Sequence, residues 1–224
     1  MSNQSTIAPA TIETICVSRA KHVSNGDEEI FTGIYKQPVK GKLALPTLNL
    51  DGDEQADLTV HGGKDKALYV YASEHYPYWQ KELPGMDLPY GMFGENLTTK
   101  GMLEENVCIG DEFKIGTAIV RVTQPRLPCY KLAFKFDSPD IIKRFMQSGR
   151  SGIYFAVVQE GEIEQGDEIV YMQSDKHNIT VLEVAKVFTN KQNDREHIER
   201  IMNSNLAPQM KSFVAGLFAR QSNR

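Results

Sequence analysis

A chain of 224 residues, 41% hydrophobic and 24% charged, can bury one sizeable core and is ordinary in composition for a globular protein. A formal net charge of −4 gives no bulk basic field for a nucleic-acid polymer, so any basic function has to be local. Cys16, Cys108 and Cys129 stand far apart with no CxxC, which argues against a disulfide framework and supplies too few thiolates for a four-cysteine iron–sulfur cluster.

The start, "MSNQSTIAPA", is small and polar. It has neither the basic nor the apolar region of a secretory signal, and residues 1–10 read as a disordered end. No apolar run approaches the ~20 residues of a membrane helix, so the expected location is the cytoplasm, with no membrane partner.

Residues 11–175 carry the punctuation of β structure. Short apolar runs, "TICVS", "ALYVY", "AIVRVT" and "IYFAVV", are bounded by Gly, Asp, Asn and Pro. "DGDE", "IGDE" and "QGDE" recur as turn chemistry. This is mainly β with α, a barrel-like or sandwich domain. Two helices are predicted to interrupt it. "ASEHYPYWQKEL" offers Ser73 as N-cap, and Pro77 limits its regularity. "DSPDIIKRFMQSG" offers Ser138 as cap, Pro139 at the first helical position, and Gly149 as the stop.

Over residues 176–224 the period shifts from two to 3.6. Thr180 precedes "VLEVAKVF" and Asp194 precedes "REHIERIM". A third helix then sets Met210, Phe213, Val214, Leu217 and Phe218 on one stripe. Three short helices bury little alone, so this subdomain is expected to pack onto the barrel.

Three stretches could carry chemistry. In "VHGGKDKALY", Gly62 and Gly63 after His61 let backbone approach a ligand, and Lys64 and Lys66 can neutralise an anion. A tight turn with exposed lysines accounts for the same residues. It is no Walker loop, because no Ser or Thr follows the lysine. In "FGENLTTKG", Glu95 and Asn96 follow a glycine, and an amide can meet the donor–acceptor edge of a heterocycle; an ordinary Asx turn explains it equally. In "TQPRLPCYKL", Arg126 and Lys131 flank Cys129, and nearby positive charge favours a thiolate. Pro125 and Pro128 stiffen its N-terminal side. Free cysteine is also a common buried filler, a reading that suits Cys16 and Cys108 better than Cys129. His22, His61, His75, His177 and His197 show no zinc spacing, and His75 and His197 fall in helical stretches as solvated or satisfied side chains.

In this order the three motifs, "GDEQADLTVHGGKDKALYVYASEHYPYW", "FGENLTTKGMLEENVCIGDEF" and "QPRLPCYKL", resemble the MOSC domain family. The later "SGRSGIYFAVVQEGEIEQGDEI" resembles that domain's closing strands, and the tail resembles the three-helix extension of the YiiM-type subgroup. The resemblance spans residues 30–222. It implies a β-barrel-like domain that binds a molybdenum–pterin cofactor (molybdopterin), with Cys129 as the catalytic thiolate ligand of molybdenum. For such a cofactor the residue types themselves offer the His61, Gly62, Gly63 and Lys64 loop and Arg126 for the phosphate, Glu95 and Asn96 for the pterin edge, and Lys66 as a further cofactor-binding candidate. The activity implied is reduction of small N-hydroxylated substrates such as hydroxylaminopurine-type bases, with a separate flavin or iron–sulfur reductase as electron donor, since the chain has no cluster motif or GxGxxG. A homodimer is compatible with this reading. The alternatives are a sulfur carrier using a Cys129 persulfide, a cofactor-binding module without turnover, and, more weakly, a Cys129–His61 hydrolase.

Overall fold

The computed structural model describes residues 9–26, 28–56, 62–190 and 194–222. Most of the polar start, at residues 1–8, and His61 lie outside the described residues; Ala10 already opens the first strand. The strands are β1 (Ala10–Val17), β2 (Lys21–Asn25), β3 (Glu28–Thr32), β4 (Gln37–Val39), β5 (Leu43–Leu45), β6 (Leu68–Ala72), β7 (Leu97–Lys100), β8 (Glu112–Ile115), β9 (Ala118–Pro125), β10 (Ile153–Gln159), β11 (Gly161–Ile163) and β12 (Glu168–Gln173). The helices are α1 (Tyr76–Glu82), α2 (Tyr130–Phe136), α3 (Ile141–Ser148), α4 (Val181–Val187), α5 (Arg195–Asn203) and α6 (Pro208–Ser222). None is long and apolar enough to cross a membrane.

Seven strands close into a barrel in the order β12-β8-β9-β10-β6-β7-β1, and β1 returns to β12 through Ala10↔Ile169 and Thr11↔Glu168. Closure removes the unpaired edges that an open sheet would expose. All neighbours are antiparallel except β6 and β7, which run parallel with Val70 opposite Leu97. A parallel pair needs a long crossover. Here that crossover carries α1 and the loop to Asn96.

The run "ALYVY" shows how one strand feeds two cores. Successive side chains of a strand point to opposite faces. Leu68 and Val70 enter the aliphatic interior of the barrel, while Tyr69 and Tyr71 enter an aromatic cluster outside it. That cluster also takes Trp79 from α1, Phe93 from the crossover, Leu132 and Phe136 from α2, and Ile141 and Phe145 from α3.

The helix starts differ from the sequence reading in detail. Ser73 opens a short 3-10 turn before α1 instead of capping it. α3 begins at Ile141, after Pro139, with Asp140 at its N-cap and no side-chain cap bond; Ser138 contributes its carbonyl, which accepts from the Ile141 amide at 3.3 Å. Gly149 ends α3 in the left-handed region, φ 69°, as its lack of a Cβ permits. The tail follows expectation more closely. Thr180 and Glu183 form a reciprocal capping box on α4, and Asp194 accepts from the His197 amide on α5. Val181, Val184, Ile198, Ile201, Met210 and Val214 join the same aliphatic cluster as the barrel residues Phe113, Val120 and Val122. Leu217 and Phe218 pack against it in part, but Phe213 is 46% exposed, at the margin of the buried arc of α6.

Candidate functional site

One convergence of polar groups is an open cleft that contains Cys129. It is walled by the chain after β3, by residues 53–56, by the turn at Lys66, by β6 and β10, and by the link from β9 into α2.

Cys129 is half-buried in this wall. Its backbone is extended, φ −127° and ψ 174°, and its carbonyl accepts from the Leu132 amide at 2.9 Å. Cys129 is thus the residue from which α2 departs, not a point on a longer loop as the prolines alone imply. The other two thiols differ in kind. Burial, helped by the charge of Glu95, pushes Cys16 up to about 12, and burial beside Asp111 pushes Cys108 up to about 12. Both stay protonated at neutral pH. Cys16 is the buried strand residue expected, whereas Cys108 is only partly buried and stands outside the named strands, in an isolated bridge to Thr180.

Arg126 is 6% exposed. Its guanidinium lies 5.1 Å from the Tyr69 ring centre and 5.3 Å from that of Phe145. Burial opposes its charge, but the facing Tyr69, Tyr154 and Cys129 outweigh this and hold the guanidinium cationic. One of its nitrogens, Nη1, is buried without a hydrogen-bond partner among the described residues. An orphaned buried donor costs about 1–3 kcal/mol, so its presence marks a place for an acceptor.

Lys36 and Asp53 form an ion pair in the cleft wall, with side chains 8% and 3% exposed. Burial lowers the Lys36 pKa, and Asp53 works against that shift. Asp53 also accepts from the Ser18 amide at 2.9 Å and from Asn96 Nδ2 at 2.9 Å. Asn96 Oδ1 in turn accepts from the Tyr69 amide at 3.1 Å. Asn96 lines the cleft, yet its amide is engaged at both ends, bracing β6 against Asp53. Lys66 lines the cleft from the opposite side and donates to Gln209 of α6 at 2.6 Å. Burial lowers its pKa, with Asp65 opposing.

The structure therefore brings together Cys129, Arg126, Lys66 and Asn96, while the other sequence candidates among the described residues do not line the cleft. Glu95, expected at the pterin edge, is fully buried and is not among the residues that line the cleft; its Oε2 has no hydrogen-bond partner among the described residues. Its Oε1 accepts from the Gly91 amide at 2.9 Å, from Thr98 Oγ1 at 3.1 Å and from the Tyr76 hydroxyl. Lys64 is exposed in a 3-10 turn away from the cleft wall. Gly62 and Gly63 also stand off the wall; Gly63, at φ 91°, serves the turn's backbone, since an added Cβ would meet nothing within 4 Å. Lys131, noted beside Cys129 in the sequence, also lines the cleft, as do Lys36, Asp53, Tyr69 and Tyr154, which were not anticipated as site residues. Asp53 lay inside a "DGDE" turn signal, and only long-range folding turns that carboxylate inward.

The MOSC domain pattern matches residues 57–170, half of the chain. The chain belongs to the MOSC domain family. Protein YiiM of Escherichia coli (strain K12) is 39% identical over 175 residues, spanning 77% of this chain and 78% of YiiM. The crystal structure of YiiM from Geobacillus stearothermophilus has a TM-score of 0.78 at 32% identity, covering 93% of this chain and 99% of that one. A protein named a reductase, from Gibberella moniliformis (strain M3125 / FGSC 7600), is 37% identical over 182 residues, which is 80% of this chain but 32% of that protein.

The cleft fits the molybdenum–pterin group that a MOSC domain implies. Four cationic side chains, Lys36, Lys66, Arg126 and Lys131, face two carboxylates, Asp53 and Glu54, within a chain of net charge −4. The orphaned Arg126 Nη1 suits a phosphate oxygen, and the one thiol on the wall suits a soft metal.

Proposed function

We propose that this MOSC protein holds a molybdenum–pterin cofactor and reduces N-hydroxylated compounds to amines, with electrons from a separate reductase. The observation that carries the reading is the placement of Cys129 and the unpartnered Arg126 Nη1 on one cationic cleft. The redox role is further supported by the relative named a reductase. When bound, the cofactor supplies the two-electron chemistry that converts R–NHOH, with two protons, to R–NH2 and water.

In this reading Cys129 provides the thiolate that anchors the metal, and its fixed place at the start of α2 sets the direction of the sulfur. Arg126, charged and clamped between two rings, holds the cofactor's phosphate. Lys66 adds charge from the opposite wall. The Lys36–Asp53 pair and Asn96 hold the cleft's inner wall in place, so that little reorganisation accompanies binding.

Protein produced in a cofactor-competent host is expected to contain molybdenum in stoichiometric amount and, with a reduced dye as donor, to consume hydroxylaminopurine. Cys129→Ser should lose both molybdenum and turnover. Full turnover in Cys129→Ser would sink the reading. A sulfur adduct on Cys129 after incubation with a cysteine desulfurase, in protein that binds no molybdenum, would replace it with sulfur transfer.

A further inference from the structure

A buried carboxylate lines a second cavity, apart from the residues of the cleft and in a part of the molecule that the proposed chemistry does not use. Glu104 is 1% exposed in the loop between β7 and β8. Its Oε2 pairs with His75 Nε2 at 2.7 Å, and its Oε1 accepts from the Gly152 amide at 2.6 Å. Burying a carboxylate costs several kcal/mol unless its partners compensate, and an apolar side chain would fill the space without that cost.

The Ser151–Gly152 turn that Glu104 holds is gripped from its other side by Tyr69, whose hydroxyl donates to the Ser151 carbonyl at 2.9 Å. The turn admits only glycine at its second position. Gly152 has φ 68°, and a Cβ there would meet the Tyr69 ring at 2.6 Å and its oxygen at 2.7 Å. Tyr69 is in turn one of the two aromatic platforms of Arg126. These contacts form a continuous buried path: Glu104 fixes the turn, the turn fixes the Tyr69 hydroxyl, and the ring fixes the guanidinium.

We propose that Glu104, oriented by His75, is a positioning residue for Arg126, acting through the Ser151–Gly152 turn and Tyr69. This rests on the reading of Arg126 as the anion-holding group of the cleft.

The test uses cofactor-free protein and two readouts. The first is the guanidinium NMR signal of Arg126 in arginine-labelled protein, assigned by its disappearance in Arg126→Lys. Stacking on Tyr69 and Phe145 gives it a ring-current shift. That shift is expected to persist in Glu104→Gln, whose amide still accepts from Gly152 and can donate to His75. It is expected to collapse toward the free-arginine position in Glu104→Ala and Gly152→Ala. Ile198→Ala, in the aliphatic cluster, serves as a destabilised control in which the shift should persist. The second readout is titration with inorganic phosphate, which should bind Glu104→Ala about tenfold more weakly than wild type.

An unchanged Arg126 signal in Glu104→Ala and Gly152→Ala would overturn the proposal, as would an equal collapse in Ile198→Ala. If Glu104→Ala does not fold, Glu104→Met, which keeps the side chain's length and loses both acceptor oxygens, decides it by the same signal. If wild type binds no phosphate, the anion role of Arg126 fails, and the NMR signal still decides the positioning.

Discussion

The molecule has two cores of different chemistry on the two faces of β6. The barrel interior and the tail helices share an almost wholly aliphatic cluster, with Phe113 and Phe155 as its buried rings. Outside the barrel, Tyr69, Tyr71, Tyr76, Trp79, Phe93, Phe136 and Phe145 dominate the second cluster. Aliphatic packing is nondirectional and tolerates volume-conserving change. Aromatic packing adds geometry and polar handles. Trp79 Nε1 donates to the Tyr71 hydroxyl at 2.7 Å, Tyr71 stacks on Phe93 with centres 4.7 Å apart, and the Tyr69 and Phe145 rings face Arg126. The barrel core closes the fold, and the aromatic core aims a side chain.

This division can be broken from the aromatic side first. Trp79 is fully buried, and Trp79→Ala should cost about 3–5 kcal/mol in a denaturant titration. It should also weaken inorganic phosphate binding at the cleft, because Phe145 stacks on Trp79 as well as facing Arg126. Loss of stability with unchanged phosphate binding would mean that the aromatic cluster is only filler.

A slightly smaller effect lies in the pH dependence of Cys16, beside the polar underside of that cluster. The folded thiol keeps its proton up to about 12, while the unfolded thiol releases it near 9.0. Between those values the folded state binds more protons than the unfolded state, so this group's contribution falls as pH rises from about 9 to 12. The shift corresponds to roughly 4 kcal/mol at most. Denaturant titrations of the parent and Cys16→Ala across that window should show their stability difference moving by this order in favour of the variant. A constant difference would remove the thiol from the account.

The aliphatic side should give ordinary costs without functional consequence. Ile198→Val should cost about 1 kcal/mol, and Thr180→Ala, which removes the capping box of α4, about the same. Calorimetry should detect both, and phosphate binding should not change. Smallest in stability is the cleft thiol itself. Iodoacetamide near pH 8 should alkylate Cys129 ahead of Cys16 and Cys108, shifting stability by no more than about 0.5 kcal/mol. Peptide mapping with a melting curve checks both halves of that statement.

Period-two runs and turns showed a β domain, barrel or sandwich, the family resemblance chose the barrel, and the caps and 3.6 period showed the tail. α2 was hidden because "YKLAFKF" is short, begins directly after a proline–cysteine pair and puts just Leu132 and Phe136 at full helical spacing in the core. That Cys129 and Arg126 share one cleft wall was readable because charge, thiol and prolines lie adjacent in the chain. The Lys36–Asp53 pair was not, because its members are separate in the chain and each resembles surface charge locally. The burial of Glu95 was hidden for the reverse reason: a carboxylate after a glycine looks available, and only the fold shows its Oε1 accepting from Gly91, Thr98 and Tyr76.

Closure of the barrel by β1 against β12 has a kinetic consequence. Ala10 must find Ile169, almost the full length of the barrel segment away. Contacts so distant in sequence make folding slow, because loop closure costs entropy before the pairing returns any. During synthesis the first strand is made early and β4 can pair its Ile15–Val17 end, yet the Ala10–Thr11 end of that edge has no partner until β12 has emerged. The exposed Gln165–Gly166 turn just ahead of β12 is therefore among the last pieces of the barrel to be set, and the Gly166 amide reaches back to the Ile12 carbonyl at 2.9 Å as the two ends meet. The seam where a closed sheet begins and ends thus sets the tempo of its assembly, independently of which side chains fill it.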